Sequence, residues 1–266
     1  MREPVDLYAA ERAIDAVLSI QQVVKAVWTL ARAQQPRVEA AASDASAYLD
    51  RVEELVERFA RRSFEQTQGS PMWVVVGPER PFCGGLARQL IEQLPAEGSL
   101  LLVGRRLTEA VPPSGPIRDR VASSLPAAAG PEELDRCARQ VAAALLDLAH
   151  AGPVGILHPK DGGSGLERTV LLAAGPLESE RAPETYSASA VVLGTALQEA
   201  VSGRLVVALA EGLRSEVRAR LQAADAARQS GEKRLASLRQ RWRVLRQESI
   251  TAELVELFAG RLSEPA

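Results

Sequence analysis

The chain has 266 residues, of which 46% are hydrophobic, 25% charged and 4% aromatic, and its formal net charge is −2. A balance so close to neutral excludes a chain that binds nucleic acid through overall basic charge. Aromatic residues are scarce, and Ala, Arg, Leu, Glu and Gln fill both ends, a mixture that favours long helices over a thick globular core.

The cysteines and histidines exclude a structural zinc site. Cys83 and Cys137, with His150 and His158, show no metal-ligand spacing. The cysteines are expected to be free thiols in a reducing compartment. We see no apolar signal segment at the N-terminus, and no stretch reaches about 18 uninterrupted apolar residues, so membrane association is expected only through partners.

Residues from about 8 to 64 predict one long helix, because apolar residues recur with a period of seven. Such a repeat favours a left-handed supercoil with a partner helix. Pro36 falls inside the run and predicts a kink, since proline removes a backbone hydrogen bond. The heptad positions are Val17, Val24, Ala31, Val38, Ala45, Val52 and Phe59 at a, and Ile20, Val27, Gln34, Ala41, Tyr48 and Leu55 at d.

The middle of the chain alternates strand and helix patterns, which favours an α/β sheet. Proline-rich loops are expected at Val111–Pro116 and around Pro126. The predicted strands are Trp73–Gly77, Ser99–Gly104, the pair Gly155–His158 and Thr169–Leu172 joined by a turn at Lys160–Gly165, and Ala188–Leu193; the predicted helices run from Cys83-Gly84-Gly85 to about Gln93 and from Glu132 to Ala149.

Residues from about 204 to 261 predict a second long helix, whose apolar steps of four and three are interrupted at Arg228 and Gly231. A narrow apolar stripe needs a partner. We expect that partner to be the other terminal helix, running antiparallel; the alternative is two unrelated helices of a bundle. The segment from Lys233 to Arg246 contains six basic residues and no acidic one, which indicates either a solvated face or a basic band for an acidic partner.

Two local patterns suggest chemistry only weakly. The strand followed by Gly84-Gly85 and a helix could favour phosphate, but GxxxxGK[ST] and GxGxxG are both missing, so a tight turn is favoured. Cys83 lacks a local histidine signature, so a packing cysteine is favoured over a thiol nucleophile. We therefore predict no catalytic, cofactor-binding or metal-binding residues.

Four segments resemble the gamma subunits of F-type ATP synthases. Arg246–Gly260, RQESITAELVELFAG, resembles the family's terminal pattern RQxxITxELxEIxxG. Ser215–Leu221 is similar to SExxARM, and Glu79–Leu86 resembles DRGLCGGxN. Lys25-Ala26-Val27 stands where the family has KAM, so the resemblance covers essentially the whole chain.

The resemblance implies an α/β fold with a long antiparallel coiled coil of the N- and C-terminal helices and a Rossmann-like domain. The implied domains are 1–66 (N-terminal helix), 67–203 (α/β domain) and 204–266 (C-terminal helix). The implied function is that of a central rotor stalk, which transmits torque between a membrane ring driven by protons or sodium ions and the catalytic hexamer. The implied partners are the alpha, beta and epsilon subunits and the c-subunit ring, with no nucleic acid, and the implied location is peripheral, on the cytoplasmic face of a bacterial inner membrane.

The resemblance also implies contact residues. Arg246, Gln247, Thr251, Glu253 and Lys25 match positions expected to contact the hexamer. From their charge, a second group is expected to meet acidic loops of the beta subunits: Lys233, Arg239, Arg241 and Arg243.

Departures from the family pattern leave alternatives open. The family's Met-Lys-Met after Lys-Ala is Val27-Trp28-Thr29, and its Asn after Cys-Gly-Gly-Leu is Ala87. Arg243 replaces a second Asn, and Ser230-Gly231 replaces Asn-Ala. The chain could belong to an alternative F-type ATPase, or it could be a non-rotary coiled-coil scaffold or adaptor descended from the family. An α/β nucleotide enzyme is disfavoured by the missing motifs.

Overall fold

The computed structural model describes residues 3–59, 61–62, 70–148, 152–160, 165–172, 177–178 and 188–262. The chain divides into two compact units. We call Met1–Leu30 with Ala223–Ala266 the terminal unit, and Ala31–Gln222 the sheet unit.

Two long helices contribute to both units. Helix α1 spans Glu3–Phe59 and continues through Pro36. The C-terminal helix, α6, spans Ser189–Leu262 and begins well before the predicted start at 204. The strand predicted at Ala188–Leu193 is therefore wrong, because this apolar run forms the first turns of α6.

The reason for that error is visible in the burial pattern at the start of α6. Val192 is half-buried, and Ala196 and Ala200 are buried, so the inward residues recur every four positions. A step of four gives one face of a helix, whereas a strand needs a step of two.

The sheet unit contains a five-stranded mixed sheet in the order β4-β3-β2-β5-β6. The strand β2 pairs in parallel with β3 and β5, β3 pairs in parallel with β4, and β6 runs antiparallel to β5. A separate pair joins β1 to β7, antiparallel. The bounds are β1 Arg61–Arg62, β2 Met72–Val76, β3 Ser99–Val103, β4 Val121–Leu125, β5 Val154–Lys160, β6 Gly165–Leu172 and β7 Leu177–Glu178.

Shorter helices connect these strands. The predicted helix after Gly85 is α2, and the predicted helix from Glu132 is a 3-10 turn at Pro131–Glu133 leading into α5. The strand β4 and the helices α3 and α4 were not predicted. The bounds are α2 Leu86–Glu92, α3 Arg105–Ala110, α4 Pro116–Asp119 and α5 Leu134–Asp147. The predicted turn at Lys160–Gly165 falls largely on residues 161–164, which lie outside the described residues.

Helices cover both faces of the sheet. On one face Val74, Val76 and Leu101 are buried in a cluster with residues of α5 and α6. On the other face Val75 and Leu102 are buried with residues of α2 and α3. Because neighbouring residues of a strand point to opposite faces, the continuous apolar runs predicted as strands are those of a sheet buried on both sides.

Within each unit the two long helices pair antiparallel. In the terminal unit the Trp242 indole N–H donates to Glu11 Oε1 at 3.0 Å. In the sheet unit Arg218 lies 3.0 Å from Glu39, and the hydroxyl of Tyr48 donates to Glu199 at 3.0 Å. Rising numbers on α1 meet falling numbers on α6, so the predicted antiparallel coiled coil with a Rossmann-like α/β domain is confirmed.

The heptad assignment on α1 is correct at the described a positions and only partly correct at d, where Val27, Gln34 and Ala41 are half-buried but Ile20, Tyr48 and Leu55 are exposed. The a residues Ala31 and Val38 are buried, whereas the d residue Ile20 is 62% exposed. Next to the three exposed d residues, the half-buried side chain lies one residue later, at Gln21, Leu49 and Val56. Because Gln21 is polar, an apolar repeat does not identify its position as inward-facing. The side chain of Phe59 lies outside the described residues, and the division at residues 66 and 203 stays a prediction.

Candidate functional site

The loop between β2 and α2, residues 77–85, lies against helix α6. Glu216 of α6 is 2% exposed, and its carboxylate accepts the backbone N–H groups of Glu79 at 2.7 Å and Arg80 at 3.3 Å. Arg220, one turn later and 4% exposed, donates to that carboxylate and also to the carbonyl oxygen of Pro81 at 3.4 Å. Two motifs that lie 137 positions apart thus meet in one buried network.

Glu79 extends this network to the neighbouring strands. Its Oε2 accepts the N–H of Arg105 at 2.9 Å and the N–H of Ala127 at 3.0 Å. Its Oε1 lies 3.1 Å from the guanidinium of Arg105. Arg105 follows β3 and Ala127 follows β4, so one carboxylate joins the ends of two strands. The close approach requires Gly104, which has φ +124 and where a Cβ would lie 2.5 Å from the carbonyl oxygen of Gly77.

The Glu216 carboxylate accepts hydrogen bonds from the backbone N–H groups that a phosphate would need. In nucleotide-binding α/β folds, backbone N–H groups after the first strand bind phosphate at a switch in strand order. Here the N–H groups of Glu79 and Arg80 are used by the chain itself. Burial raises the pKa of Glu216, while Arg220 and the two backbone N–H groups oppose that shift. The geometry favours a structural role over nucleotide binding. We call the contact formed by Glu79, Glu216 and Arg220 the joint.

The two cysteines lie in environments that suppress thiolate formation. Cys83 is buried, and its thiol donates to the carbonyl oxygen of Arg80 at 3.0 Å. Burial raises the pKa of Cys83 to about 11 and also raises the pKa of Cys137. The ring of His158 contacts Pro159 and Glu167. The arrangement therefore supplies no activated nucleophile at Cys83.

No metal-binding group is present in the part of the chain that the structure describes. Among those residues, no three His, Cys, Asp or Glu side chains lie close enough together to hold a metal ion.

Four of the predicted contact residues lie on the last turns of α6. Arg246, Gln247, Thr251 and Glu253 are all exposed. The guanidinium of Arg246 lies over the ring of Trp242, 5.6 Å from its centroid. Arg246 is thus held by a cation–π contact, while its outer surface stays accessible.

Lys25 belongs to a different part of the terminal unit. It lines a groove of about 440 Å³ between the two helices. The structure therefore does not bring Lys25 together with Arg246. The other residues that line the groove are Gln21, Val24, Trp28, Ala224, Asp225, Arg228 and Glu232.

The basic residues of α6 surround the helix rather than forming one band. Steps of four and three place Arg239, Arg243 and Arg246 on one side of the buried stripe, and a step of seven places Arg234 and Arg241 on the other. Lys233 is also exposed. Among the side chains described in the terminal unit, no carboxylate pairs with any of the six.

Large apolar side chains are exposed on both helices of the terminal unit. On α6, Ile250, Leu254 and Phe258 recur every four residues and are 48%, 50% and 65% exposed. On α1, Ile20 and Val23 are 62% and 55% exposed. Repeated apolar exposure on one helix face marks a contact surface for a partner.

By length and composition alone, segments within Leu7–Arg58 and Val191–Phe258 are apolar enough to cross a membrane. The core helix of a soluble protein passes the same test. In α6 the buried residues Leu205, Leu209 and Leu213 pack in the cluster under the sheet. That packing accounts for the apolar composition of this part of α6.

Sequence reasoning missed the joint formed by Glu79, Glu216 and Arg220. Glu79 lies in one motif and Glu216 and Arg220 lie in another, and neither motif by itself indicates that the two meet. A signal was available on α6, where Glu216 and Arg220 share a helix face with Leu213 and Val217. Ionisable residues on a buried face require partners, which the β2–α2 loop supplies.

The fold and these surfaces define a class of protein: an antiparallel pair of long helices that carries a Rossmann-like α/β domain. The family model described as ATP synthase, which represents the gamma subunits, matches residues 6–262, and the chain belongs to this family. This family is a non-catalytic part of ATP synthase.

A solved structure supports the same fold. The chain is similar to the central stalk in the central stalk/c-ring structure of the Tetrahymena thermophila mitochondrial ATP synthase. The TM-score is 0.55 at 15% identity, over 77% of this chain and 99% of that one. At this identity the likeness shows the fold alone. No curated protein matches the chain.

Proposed function

We propose that this chain is the central rotor subunit of an F-type ATP synthase. It transmits torque between a membrane ring driven by protons or sodium ions and a hexamer of alpha and beta subunits. Its further partners are the epsilon subunit and the c-subunit ring. It is a peripheral protein on the cytoplasmic face of a bacterial inner membrane, attached through the complex.

The observation that carries this proposal is the exposed apolar face at the end of α6. Ile250, Leu254 and Phe258 leave an amphipathic helix without a cover among the residues described. A surrounding hexamer supplies such a cover. Because the face lies on one side of a helix, it presents different contacts to identical neighbours as it turns, which biases their conformations by differential binding.

The first set of proposed contacts rests on the resemblance to the gamma-subunit pattern, and the second set rests on charge. Arg246, Gln247, Thr251, Glu253 and Lys25 contact the hexamer. A second set of exposed cations without described ion-pair partners meets acidic loops of the beta subunits: Lys233, Arg239, Arg241 and Arg243.

The test combines co-purification with a coupling measurement. The tagged chain should co-purify with alpha and beta subunits and a membrane ring. In the assembled complex, Arg246→Ala with Gln247→Ala should lower ATP-driven ion transport per ATP hydrolysed and leave the subunit folded, because both side chains are exposed.

The chain supplies a matched control. Arg139 and Gln140 form the same dipeptide on an exposed face of α5, so their replacement by alanine should leave coupling unchanged. If both double variants behave alike, the assigned contact role is wrong. If the chain isolates without catalytic subunits or a ring, the non-rotary scaffold replaces the rotor as the function.

A further inference from the structure

The joint between α6 and the sheet involves the ends of all three strands on one side of the sheet's switch point. The strands β2, β3 and β4 are parallel, so their carboxyl ends share one edge. Glu216 binds the backbone after β2, and Glu79 binds the backbone after β3 and β4. Two carboxylates therefore connect one helix to three strand ends.

Both carboxylates are buried and satisfied. Glu79 is 9% exposed and Glu216 is 2% exposed. Glu216 accepts two backbone N–H groups and contacts Arg220, and Glu79 accepts two backbone N–H groups and contacts Arg105. Charge-assisted hydrogen bonds to backbone groups are directional, and their loss leaves buried donors unpaired.

We propose that Glu216 is the positioning residue through which the sheet and helix α6 turn as one body, acting as an internal anion that holds the β2–α2 loop. This role rests on the proposed rotor function. Torque applied to the sheet reaches α6 through the Glu216 and Glu79 carboxylates in addition to the apolar contacts. The hydrogen bonds are directional, so they fix the β2–α2 loop to one position along α6.

The first experiment uses the isolated full-length chain and formate as the probe. Glu216→Ala removes the carboxylate and leaves the two N–H groups and the Arg220 guanidinium facing the vacated space. Hydrogen exchange of the peptide covering residues 77–85 should accelerate roughly ten- to a hundredfold in this variant. Formate, but not chloride at equal ionic strength, should restore much of the protection.

The matched control is Glu211→Gln. Glu211 lies on the same helix and pairs with Arg214 three residues later, without a hydrogen bond to the β2–α2 loop among those described. Its exchange in residues 77–85 should equal that of the wild type, with no response to formate. Unchanged exchange in Glu216→Ala, or faster exchange that formate does not reverse, overturns the proposal.

A second variant covers the case in which Glu216→Ala does not fold. Glu216→Gln keeps the side-chain volume and one acceptor oxygen, and it removes the charge that faces Arg220. An intermediate acceleration supports the internal anion. Wild-type exchange in Glu216→Gln, or failure of both variants to fold with and without formate, assigns Glu216 to packing or folding alone and overturns the proposal.

The second experiment measures coupling in the assembled complex. Glu216→Ala should lower ion transport per ATP hydrolysed, and formate should raise it again, whereas Glu211→Gln should match the wild type. Loss of coupling that formate does not recover counts against the joint. A wild-type chain that fails to assemble refutes the rotor function instead, while the exchange experiment still decides whether Glu216 holds the loop.

Discussion

The indole N–H of Trp242 donates a hydrogen bond of 3.0 Å to the carboxylate of Glu11, which joins residues 231 positions apart. Trp242 also supports the guanidinium of Arg246. One side chain thus connects the pairing of the two helices in the terminal unit with a proposed contact residue. The contact lies next to Arg243, which stands where the gamma-subunit pattern has Asn.

Replacing Trp242 with phenylalanine should loosen the terminal unit locally. The ring is retained, but the hydrogen bond to Glu11 is lost, which weakens the helix pair by about 1 kcal/mol. Amide hydrogen exchange should accelerate within residues 3–30 and 223–262 and stay unchanged in the sheet. Glu11→Gln keeps an acceptor and should have a smaller effect. Equal exchange in all three proteins would show that this bond contributes nothing to the pairing.

Gly155 should not tolerate a side chain. A Cβ at this position would lie 2.5 Å from Cζ3 of Trp73 on the neighbouring strand. Gly155→Ala should therefore lower the free energy of unfolding by about 1–3 kcal/mol, as overpacked cores do. Denaturant titration measures the change.

Gly194 provides the opposite case. It lies in helix α6, and a Cβ there would meet nothing within 4 Å. Gly194→Ala should raise the free energy of unfolding by about 0.5–1 kcal/mol, because alanine loses less backbone entropy in a helix.

Combining Gly155→Ala with Trp73→Leu should relieve the clash at Gly155, and strictly additive effects of the two changes on the free energy of unfolding would contradict that clash.

The sequence predicted those parts of the fold that have a local period. Both long helices have such a period, and the buried strands β2, β3 and β5 have an equally local signal, a continuous apolar run. The strand β4 does not, because Val121–Leu125 alternates half-buried with exposed residues at a sheet edge and contains two serines. The wrong assignment of Ile20 to an inward position has a similar cause. The polar Gln21 lies beside Gly231, while the more hydrophobic Ile20 is exposed, so hydrophobicity alone selects the wrong residue.

The buried joint was less accessible to sequence reasoning for a different reason. Glu79 and Glu216 recognise backbone N–H groups, and a backbone group leaves no mark in the sequence. Which backbone N–H groups these carboxylates bind depends on the order of the strands in the sheet, and the sequence pattern does not determine that order. The sequence does show two ionisable residues, Glu216 and Arg220, on the apolar face of α6.

The stability of the chain should depend on His158 between pH 5 and 7. Burial is the main cause that lowers the pKa of His158 below its ordinary 6.5. In that window the unfolded chain binds more protons than the folded one, so the free energy of unfolding falls as the pH drops below about 6.5. The contribution is at most about 1.4 kcal/mol per pH unit.

His158→Gln removes this titration, and its free energy of unfolding should vary less between pH 7 and 5 than that of the wild type. Identical slopes in the wild type and His158→Gln would contradict the assignment.

Cys83 should resist alkylation in the folded chain. With its pKa at about 11, the thiolate fraction at pH 7.5 is roughly a few hundredfold below that of a free cysteine. Iodoacetamide should therefore label Cys83 slowly until denaturant is added, as followed by mass spectrometry. Cys83→Ser should leave assembly and coupling intact, and fast labelling of the native chain would reopen the case for a reactive thiol.

Reversing two charges on α6 should change the catalytic rate of the complex without unfolding the subunit. Arg239 and Arg241 are exposed, lie on opposite sides of the buried stripe and have no ion-pair partner among the described side chains of the terminal unit. Arg239→Glu with Arg241→Glu should alter the ATPase rate most at low ionic strength, because salt screens exposed charges over about 10 Å at 0.1 M. Arg88→Glu with Arg139→Glu makes the same change in net charge on α2 and α5 and should leave the salt dependence unchanged. If the two double variants respond to salt alike, net charge is the cause, and the cations of α6 do not meet acidic loops.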